Sequence, residues 1–270
     1  MFIATIQMNS RGNKEKNVQK AEKFIDEAAG KGVKVVALPE LFNFLGPDEE
    51  ILSNAENIPG PTIDRIRNKA TRYGIYILCG SILEKSTGLD KAFNTSVLVD
   101  PQGKIIARYR KIHLFNLEIK GGPLYKESTF VQPGREIVTV DTKLTKFGLS
   151  ICYDLRFPEI YRKLTFNGAR VIFVPAAFTL HTGKDHWESL IRTRAIENQV
   201  YIVAPDQIGP YLPGKENYGK SMIVDPWGIV MAKASDKEMV IYSELDIAHQ
   251  DEIRKALPAL LNRRKDIFPY

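Results

Sequence analysis

The sequence predicts an α/β protein, and three observations carry that prediction. Short apolar runs rich in Val and Ile alternate with stretches of helical period through most of the 270 residues. Near the N-terminus the order is strand, helix, strand, which implies a parallel unit with a right-handed crossover. Two Asp-Pro-x-Gly turns, at 100–103 and 225–228, each follow an apolar run and should fold the chain back as a hairpin.

Taken in order, Phe2 to Met8 reads as the first strand. Asn13 is placed to cap a helix whose Val18, Ala21, Ile25, Ala28 and Ala29 share one face. Val33 to Leu38 reads as a buried strand stopped by Pro39. A helix over Pro61 to Tyr73 opens on proline, whose missing N–H costs nothing in a first turn. Strands follow at Ile75 to Cys79, Phe93 to Val99, Ile105 to Tyr109 and Phe147 to Cys152. Then come a helix at Phe157 to Asn167, a strand at Val171 to Val174, a helix at Asp185 to Gln199 and a strand at Tyr201 to Ala204. Strands at Ser221 to Val224 and Met239 to Tyr242 and a helix at Asp246 to Leu257 complete the pattern, with Gly and Pro as punctuation. Lys120 to Pro133 and Ile208 to Asn217 read as irregular loops. Neither reads as a linker, because α/β patterning resumes on both sides.

Two pairs of segments echo each other. Val-Leu-Val-Asp-Pro-Gln-Gly at 97–103 matches Met-Ile-Val-Asp-Pro-Trp-Gly at 222–228, and Val35 to Pro39 matches Val171 to Pro175 at nearly the same spacing. Either the fold has two similar halves, each on its own sheet, or these are common strand and turn grammar. The length admits one large domain or two.

With 44% hydrophobic and 26% charged residues, the composition excludes disordered, collagenous and disulfide-scaffold classes. A surplus of 38 Lys+Arg over 32 Asp+Glu gives +6, which would suit a polyanion partner. Its distribution argues otherwise. Arg65, Lys69 and Arg72 have the spacing of a solvated helix face, Arg263, Arg264 and Lys265 form only a short cluster, and no nucleic-acid-binding motif appears. No stretch has the order of a signal peptide or the length of a membrane span, so a cytoplasmic protein without membrane or nucleic-acid partners is expected. Cys79 and Cys152 are too few for a disulfide framework. His113, His181, His186 and His249 are scattered, so no metal and no cofactor is expected.

Cys152 follows the apolar run Phe147 to Ile151 and precedes Pro158, which suits the first turn of a helix. A cysteine at a strand end facing a helix N-terminus is placed for thiolate formation and ligand binding, although buried structural cysteines also occur there. Cys79, inside an apolar strand, fits the structural reading better. Glu40 follows another apolar strand, and glutamate is seldom buried without a partner; a helix N-terminal carboxylate is the alternative. Lys111, just past a strand, is either a reagent or a solvated edge lysine. Glu127 lies in a loop and draws no notice alone.

The three segments Leu-Pro-Glu40, Arg-Lys111-Ile-His-Leu-Phe and Ser-Ile-Cys152-Tyr-Asp-Leu-Arg-Phe-Pro-Glu, in that order, resemble the nitrilase or carbon–nitrogen hydrolase superfamily, and the likeness runs nearly end to end. It implies a four-layer α-β-β-α sandwich as one domain over 1–270, pairing into a homodimer or higher homo-oligomer. It also implies catalysis by Glu40, Lys111 and Cys152, with Glu127 as a second glutamate that positions substrate and lysine. In these roles Cys152 attacks the amide, Glu40 moves protons, and the Lys111 cation favours thiolate and meets the oxyanion together with the Tyr153 N–H. Cys-Tyr-Asp-Leu-Arg-Phe and Thr-Gly-x-x-His-Trp resemble the Nit branch of amidases. The implied activity is cleavage of a small 2-oxo acid amide, such as 2-oxoglutaramate or deaminated glutathione, with release of ammonia through a thioester. The implied substrate-binding residues are Tyr153, Arg156, Phe178 and Thr182; for Arg156 the alternative is an ion pair with Asp154 or Glu159. The His186-Trp187 pair is expected to pack a helix. A thioester-forming N-acyl or carbamoyl amidase, acyl transfer to an amine, and a non-catalytic scaffold are the competing readings.

Overall fold

The computed structural model describes residues 1–88, 90–118 and 124–268. In the first half the elements are β1 (Phe2–Gln7), α1 (Lys14–Gly30), β2 (Val35–Ala37), α2 (Ile51–Asn54), α3 (Pro61–Tyr73), β3 (Tyr76–Leu78), β4 (Ile82–Lys85), β5 (Ala92–Val99) and β6 (Ile105–Arg110). Three short strands follow: β7 (Asn116–Glu118), β8 (Leu124–Lys126) and β9 (Val131–Gln132). The second half runs β10 (Thr139–Asp141), β11 (Lys146–Leu149), α4 (Pro158–Phe166), β12 (Val171–Phe173), α5 (Leu180–Asn198), β13 (Tyr201–Ala204), β14 (Ile208–Leu212), β15 (Lys215–Tyr218), β16 (Met222–Val224), β17 (Val230–Lys233), β18 (Met239–Glu244) and α6 (Ile247–Ala256).

Two sheets result. One has the order β18-β1-β2-β3-β5-β4, with β6 and β9 also on β5; the other has the order β10-β11-β12-β13-β16-β17. In each, three parallel strands form the centre and antiparallel strands flank them. Successive side chains of a strand point to opposite faces, and here both faces are buried. Ala4, Ile6, Val36 and Ile77 pack under α1 and α3 with Ile25, Ile63 and Ile66. Ile3, Val35, Ala37 and Leu78 turn the other way into one core with Phe147, Leu149 and Phe173 of the second sheet. Tyr76 meets Phe147 edge-on across that interface, ring centroids 6.4 Å apart. Beyond the second sheet lie α4 and α5, carrying Leu164, Trp187 and Ile191. The layers are therefore helix, sheet, sheet, helix, as expected.

The echo in the sequence is an echo in the backbone. Asp100 Oδ1 accepts from the Gln102 and Lys104 amides at 2.9 and 2.8 Å, and Asp225 Oδ1 accepts from those of Trp227 and Ile229 at 2.9 and 2.8 Å. Each turn follows a register shift at the matching place, Leu98/Val99 and Ile223/Val224. The matched segments Val35 to Pro39 and Val171 to Pro175 contain β2 and β12, the middle strands of the two parallel trios.

Several expectations need correction. Arg65 and Lys69 do not form a solvated face: Arg65 binds Glu15 at 2.8 Å and also Glu22, and Lys69 binds Asp26 at 2.7 Å, so they stitch α3 to α1. Residues 208–217 are not an irregular loop but the hairpin β14–β15, turned at Pro213 and Gly214, whose φ is 72°. Of the other expected loop, 120–123 lie outside the described residues; the remainder forms β8, a 3₁₀ turn over Glu127–Thr129 and β9. Helix α5 begins at Leu180, not Asp185, because Gly183 is not a break. A Cβ there would lie 2.3 Å from the Tyr218 side chain, so glycine allows close packing inside the helix. The strand expected to reach Cys152 ends at Leu149.

Gly80 has φ +46°, and a Cβ on it would sit 1.9 Å from the Pro39 carbonyl oxygen. Gly80→Ala should destabilise the fold by about 1–3 kcal/mol from backbone strain, with the carbonyl clash adding to it. A fall in the urea midpoint together with lost activity, through displacement of the Pro39–Glu40 turn, is the expected outcome; an unchanged midpoint would refute it.

Candidate active site

Ligands of parallel α/β sheets collect beyond the C-terminal strand ends, and here two such sets of ends face each other. Glu40 follows β2, Lys111 follows β6, Cys152 follows β11 and Ala177 follows β12. A parallel bridge between Met8, just past β1, and Gln207, just past β13, joins the two sheets at this end. Gln207 donates from Nε2 to the Glu40 carbonyl and to Ser10 Oγ, both at 2.9 Å. The turn that carries Glu40 is thus tied to the second half of the chain.

Lys111 is fully enclosed. Its Nζ donates to Glu40 Oε1 at 2.9 Å and to Glu127 Oε2 at 2.8 Å. Asn94 Nδ2 bridges the same two carboxylates, 2.8 Å from Glu40 Oε1 and 3.0 Å from Glu127 Oε1. Backbone amides complete the setting: Ala177 N donates to Glu40 Oε2 at 2.8 Å and Phe115 N to Glu127 Oε2 at 2.6 Å. An ammonium has three donors; two go to the carboxylates and one remains for a further acceptor. Burial alone would lower the Lys111 pKa, but Glu127, Glu40 and Cys152 outweigh it and raise it well above the ordinary lysine value. The group stays charged.

Cys152 opens a 3₁₀ turn over Cys152–Arg156 with its own φ at +45°, a left-handed conformation uncommon for a side chain with a Cβ. The turn is pinned on both sides. Cys152 N donates to the Pro175 carbonyl at 2.9 Å, and Ile151 N donates to Asp154 Oδ2 at 2.9 Å. Because the Cys152 amide is already engaged, the Tyr153 amide is the next one along the turn. The thiol is pushed well above its usual pKa, by burial first and then by the Glu40 carboxylate; Lys111 and the Ala177 N–H pull down and do not prevail. The expected thiolate is therefore not the resting form. Cys79 is likewise pushed up, by burial alone.

Two lobes meet at Cys152. The smaller holds Tyr153, Arg156, Phe178 and Thr182, so all four expected substrate-binding residues gather there. Arg156 lies over the Phe178 and Tyr153 rings, 5.2 and 5.8 Å from their centroids, and its Nη1 is 3.3 Å from His186 Nδ1. The alternative of an Asp154 partner fails, since Asp154 is taken up by Tyr109, His113 and Ile151. Trp187 packs as expected, donating from Nε1 to the Lys220 carbonyl at 2.9 Å, whereas His186 reaches Arg156 instead. The larger lobe is a cavity of about 120 Å³ lined on one side by Tyr125, Tyr211 and Lys215. Sequence reading missed that wall, because Tyr211 and Lys215 lie on the hairpin taken for a loop. It also missed Asn94, whose signal was the polar run Asn94-Thr95-Ser96 between apolar strand residues. Among the described residues no group of three or more His, Cys, Asp or Glu is placed to hold a metal ion, and no helix is long and apolar enough to cross a membrane.

The family model described as carbon-nitrogen hydrolase matches residues 2–255. A deaminated glutathione amidase of Synechocystis sp. is 42% identical over 97% of this chain and 97% of its own. An omega-amidase of Homo sapiens is 39% identical over 98% of this chain and 96% of its own. The crystal structure of the Caenorhabditis elegans NitFhit protein superposes with a TM-score of 0.93 at 40% identity over 98% of this chain, which spans 65% of that longer one.

Removing one member of a buried ion cluster leaves the others uncompensated, at a cost of about 3–5 kcal/mol. Lys111→Met should lose that much stability at neutral pH, read as a fall in the urea midpoint. Because the folded Lys111 pKa is raised, its contribution is fully present below the ordinary value of 10.5 and is lost only as pH rises through the higher folded value. Wild type and variant should therefore differ at pH 7 and converge only in strong alkali; equal midpoints at pH 7 would overturn the reading.

Proposed function

Because the chain belongs to the carbon–nitrogen hydrolase family, we propose that Cys152, Glu40 and Lys111 make it an amidase of small 2-oxo acid amides, with deaminated glutathione and 2-oxoglutaramate as the first candidates. The observation that carries this reading is the meeting of a buried thiol, a buried carboxylate and a buried ammonium beside a lobe holding Arg156.

The chemistry follows from the protonation states. Cys152 rests as a thiol, so attack on the carbonyl carbon must be coupled to loss of its proton to Glu40. The carbonyl oxygen, gaining charge, takes the third donor of Lys111 and the Tyr153 N–H. Glu40 then returns the proton to the leaving nitrogen, the C–N bond breaks, and ammonia departs from a thioester on Sγ. Water attacks the thioester with Glu40 again accepting the proton, and the free acid and thiol are restored. Glu127 holds Lys111 together with Glu40. Arg156 takes the 2-oxo acid carboxylate by paired hydrogen bonds, with Phe178 and Thr182 bounding the acyl chain.

Both sheets supply the site, which supports reading 1–270 as a single domain. The exposed apolar side chains of Ile196, Trp227, Ile229 and Met231 support a homo-oligomer. A cytoplasmic location is the corresponding expectation for the cell.

Ammonia release from the two amides should be measured for wild type and for Cys152→Ala, which should lose at least about a thousandfold in kcat; unchanged release would sink the mechanism. Added amines should leave the free acid as the main product, and accumulation of an N-acyl product would mark an acyltransferase instead. Arg156→Lys keeps charge but not the paired geometry. Loss of a charge-assisted hydrogen bond costs about 1.5–3 kcal/mol, so KM should rise about tenfold or more with kcat little changed. An unaltered KM would remove Arg156 from the substrate.

A further inference from the structure

Asp154 is completely buried, lies two residues beyond Cys152, and takes part in none of the steps above. Its carboxylate is fully engaged. Oδ1 accepts from the His113 backbone N at 3.0 Å and lies 2.8 Å from His113 Nδ1; Oδ2 accepts from the Tyr109 hydroxyl at 2.6 Å and from the Ile151 amide at 2.9 Å. These partners come from different sheets. Tyr109 is on β6 and His113 follows Lys111 by two residues, whereas Ile151 immediately precedes Cys152. The Tyr109 hydroxyl also accepts from the Ile112 amide at 3.3 Å, and the His113 ring stacks on Phe157 at 3.7 Å between centroids. One side chain thus grips the Tyr109 hydroxyl before Lys111, the His113 backbone after it, and the amide of the residue before Cys152.

We propose that Asp154 is a positioning residue that holds the Cys152 turn and the Lys111 segment in a single register, so that Sγ stays within reach of Glu40 and Lys111. The proposal rests on Cys152 being the nucleophile. Its physical basis is the left-handed φ of Cys152: that conformation is costly for a residue with a Cβ and persists only where surrounding contacts over-determine it. The Asp154 bond to the Ile151 amide and the Pro175 bond to the Cys152 amide are two such contacts. A side chain that presents two acceptor oxygens suits the place, since the Tyr109 hydroxyl and the His113 and Ile151 amides all donate to it. Asparagine, of nearly the same shape, does not: its amide nitrogen would face the Ile151 N–H in one orientation and the His113 N–H in the other. Asp154→Asn therefore releases one side of the clamp without opening a cavity.

The test reads Cys152 directly. Wild type, Asp154→Asn and Tyr109→Phe are treated with iodoacetamide well below their melting temperatures, and Cys152 alkylation is followed by peptide mass spectrometry with buried Cys79 as reference. Asp154→Asn should slow Cys152 at least tenfold and Tyr109→Phe about threefold or more, with far-ultraviolet circular dichroism unchanged. Rates within twofold of wild type, or slowing that only tracks a loss of folded protein, would overturn the proposal; a role in folding alone gives the second result. If Asp154→Asn does not fold, Tyr109→Phe decides. Failure of the amidase reading looks different, because wild-type Cys152 would then alkylate readily yet hydrolyse neither amide.

Discussion

The structure depends on a buried ammonium held between two carboxylates. Lys111 without Glu40 and Glu127 would leave an uncompensated charge in the interior, and either carboxylate without the lysine would do the same. The cluster therefore requires the end of β2, the end of β6 and the turn before β9 to arrive together. The same burial acts on the neighbouring thiol: burial first, and then the Glu40 carboxylate, push Cys152 well above its usual pKa, while Lys111 pulls it down. A protonated nucleophile beside an acceptor carboxylate is the result, so attack is coupled to transfer of the thiol proton.

The backbone of the second half does much of the holding. Ala177 N fixes one Glu40 oxygen, Asp206 Oδ1 takes the next amide, Phe178 N, at 2.9 Å, and the Pro175 carbonyl takes the Cys152 amide. Asp206 is buried, and burial drives its carboxyl well above the usual range.

Much of this was legible in the sequence, for reasons that differ by element. The central strands and α3 announced themselves because buried β-branched runs and a proline-led helix are local signals. Glu40, Lys111 and Cys152 were legible through their order and flanking residues, and the four expected pocket residues do share one lobe. What escaped detection depends on distant partners. The cations of α3 look solvated until α1 supplies Glu15, Glu22 and Asp26. Gly183 looks like a helix break until Tyr218 arrives against it. The hairpin at 208–218 looks irregular because Gly and Pro dominate it and it needs no apolar alternation. The sequence offers Asp154 only as a possible partner for Arg156, since nothing local says that Tyr109 and His113 will converge on it.

The matched turns after β2 and β12 place Glu40 and Ala176 in corresponding positions, each directly after a proline that ends a central strand. One fold motif is thus written twice in the chain, but only one copy is armed. The unarmed copy serves as a template, offering main-chain amides where the other offers a carboxylate. The two turns are interchangeable as scaffolds and not as reagents.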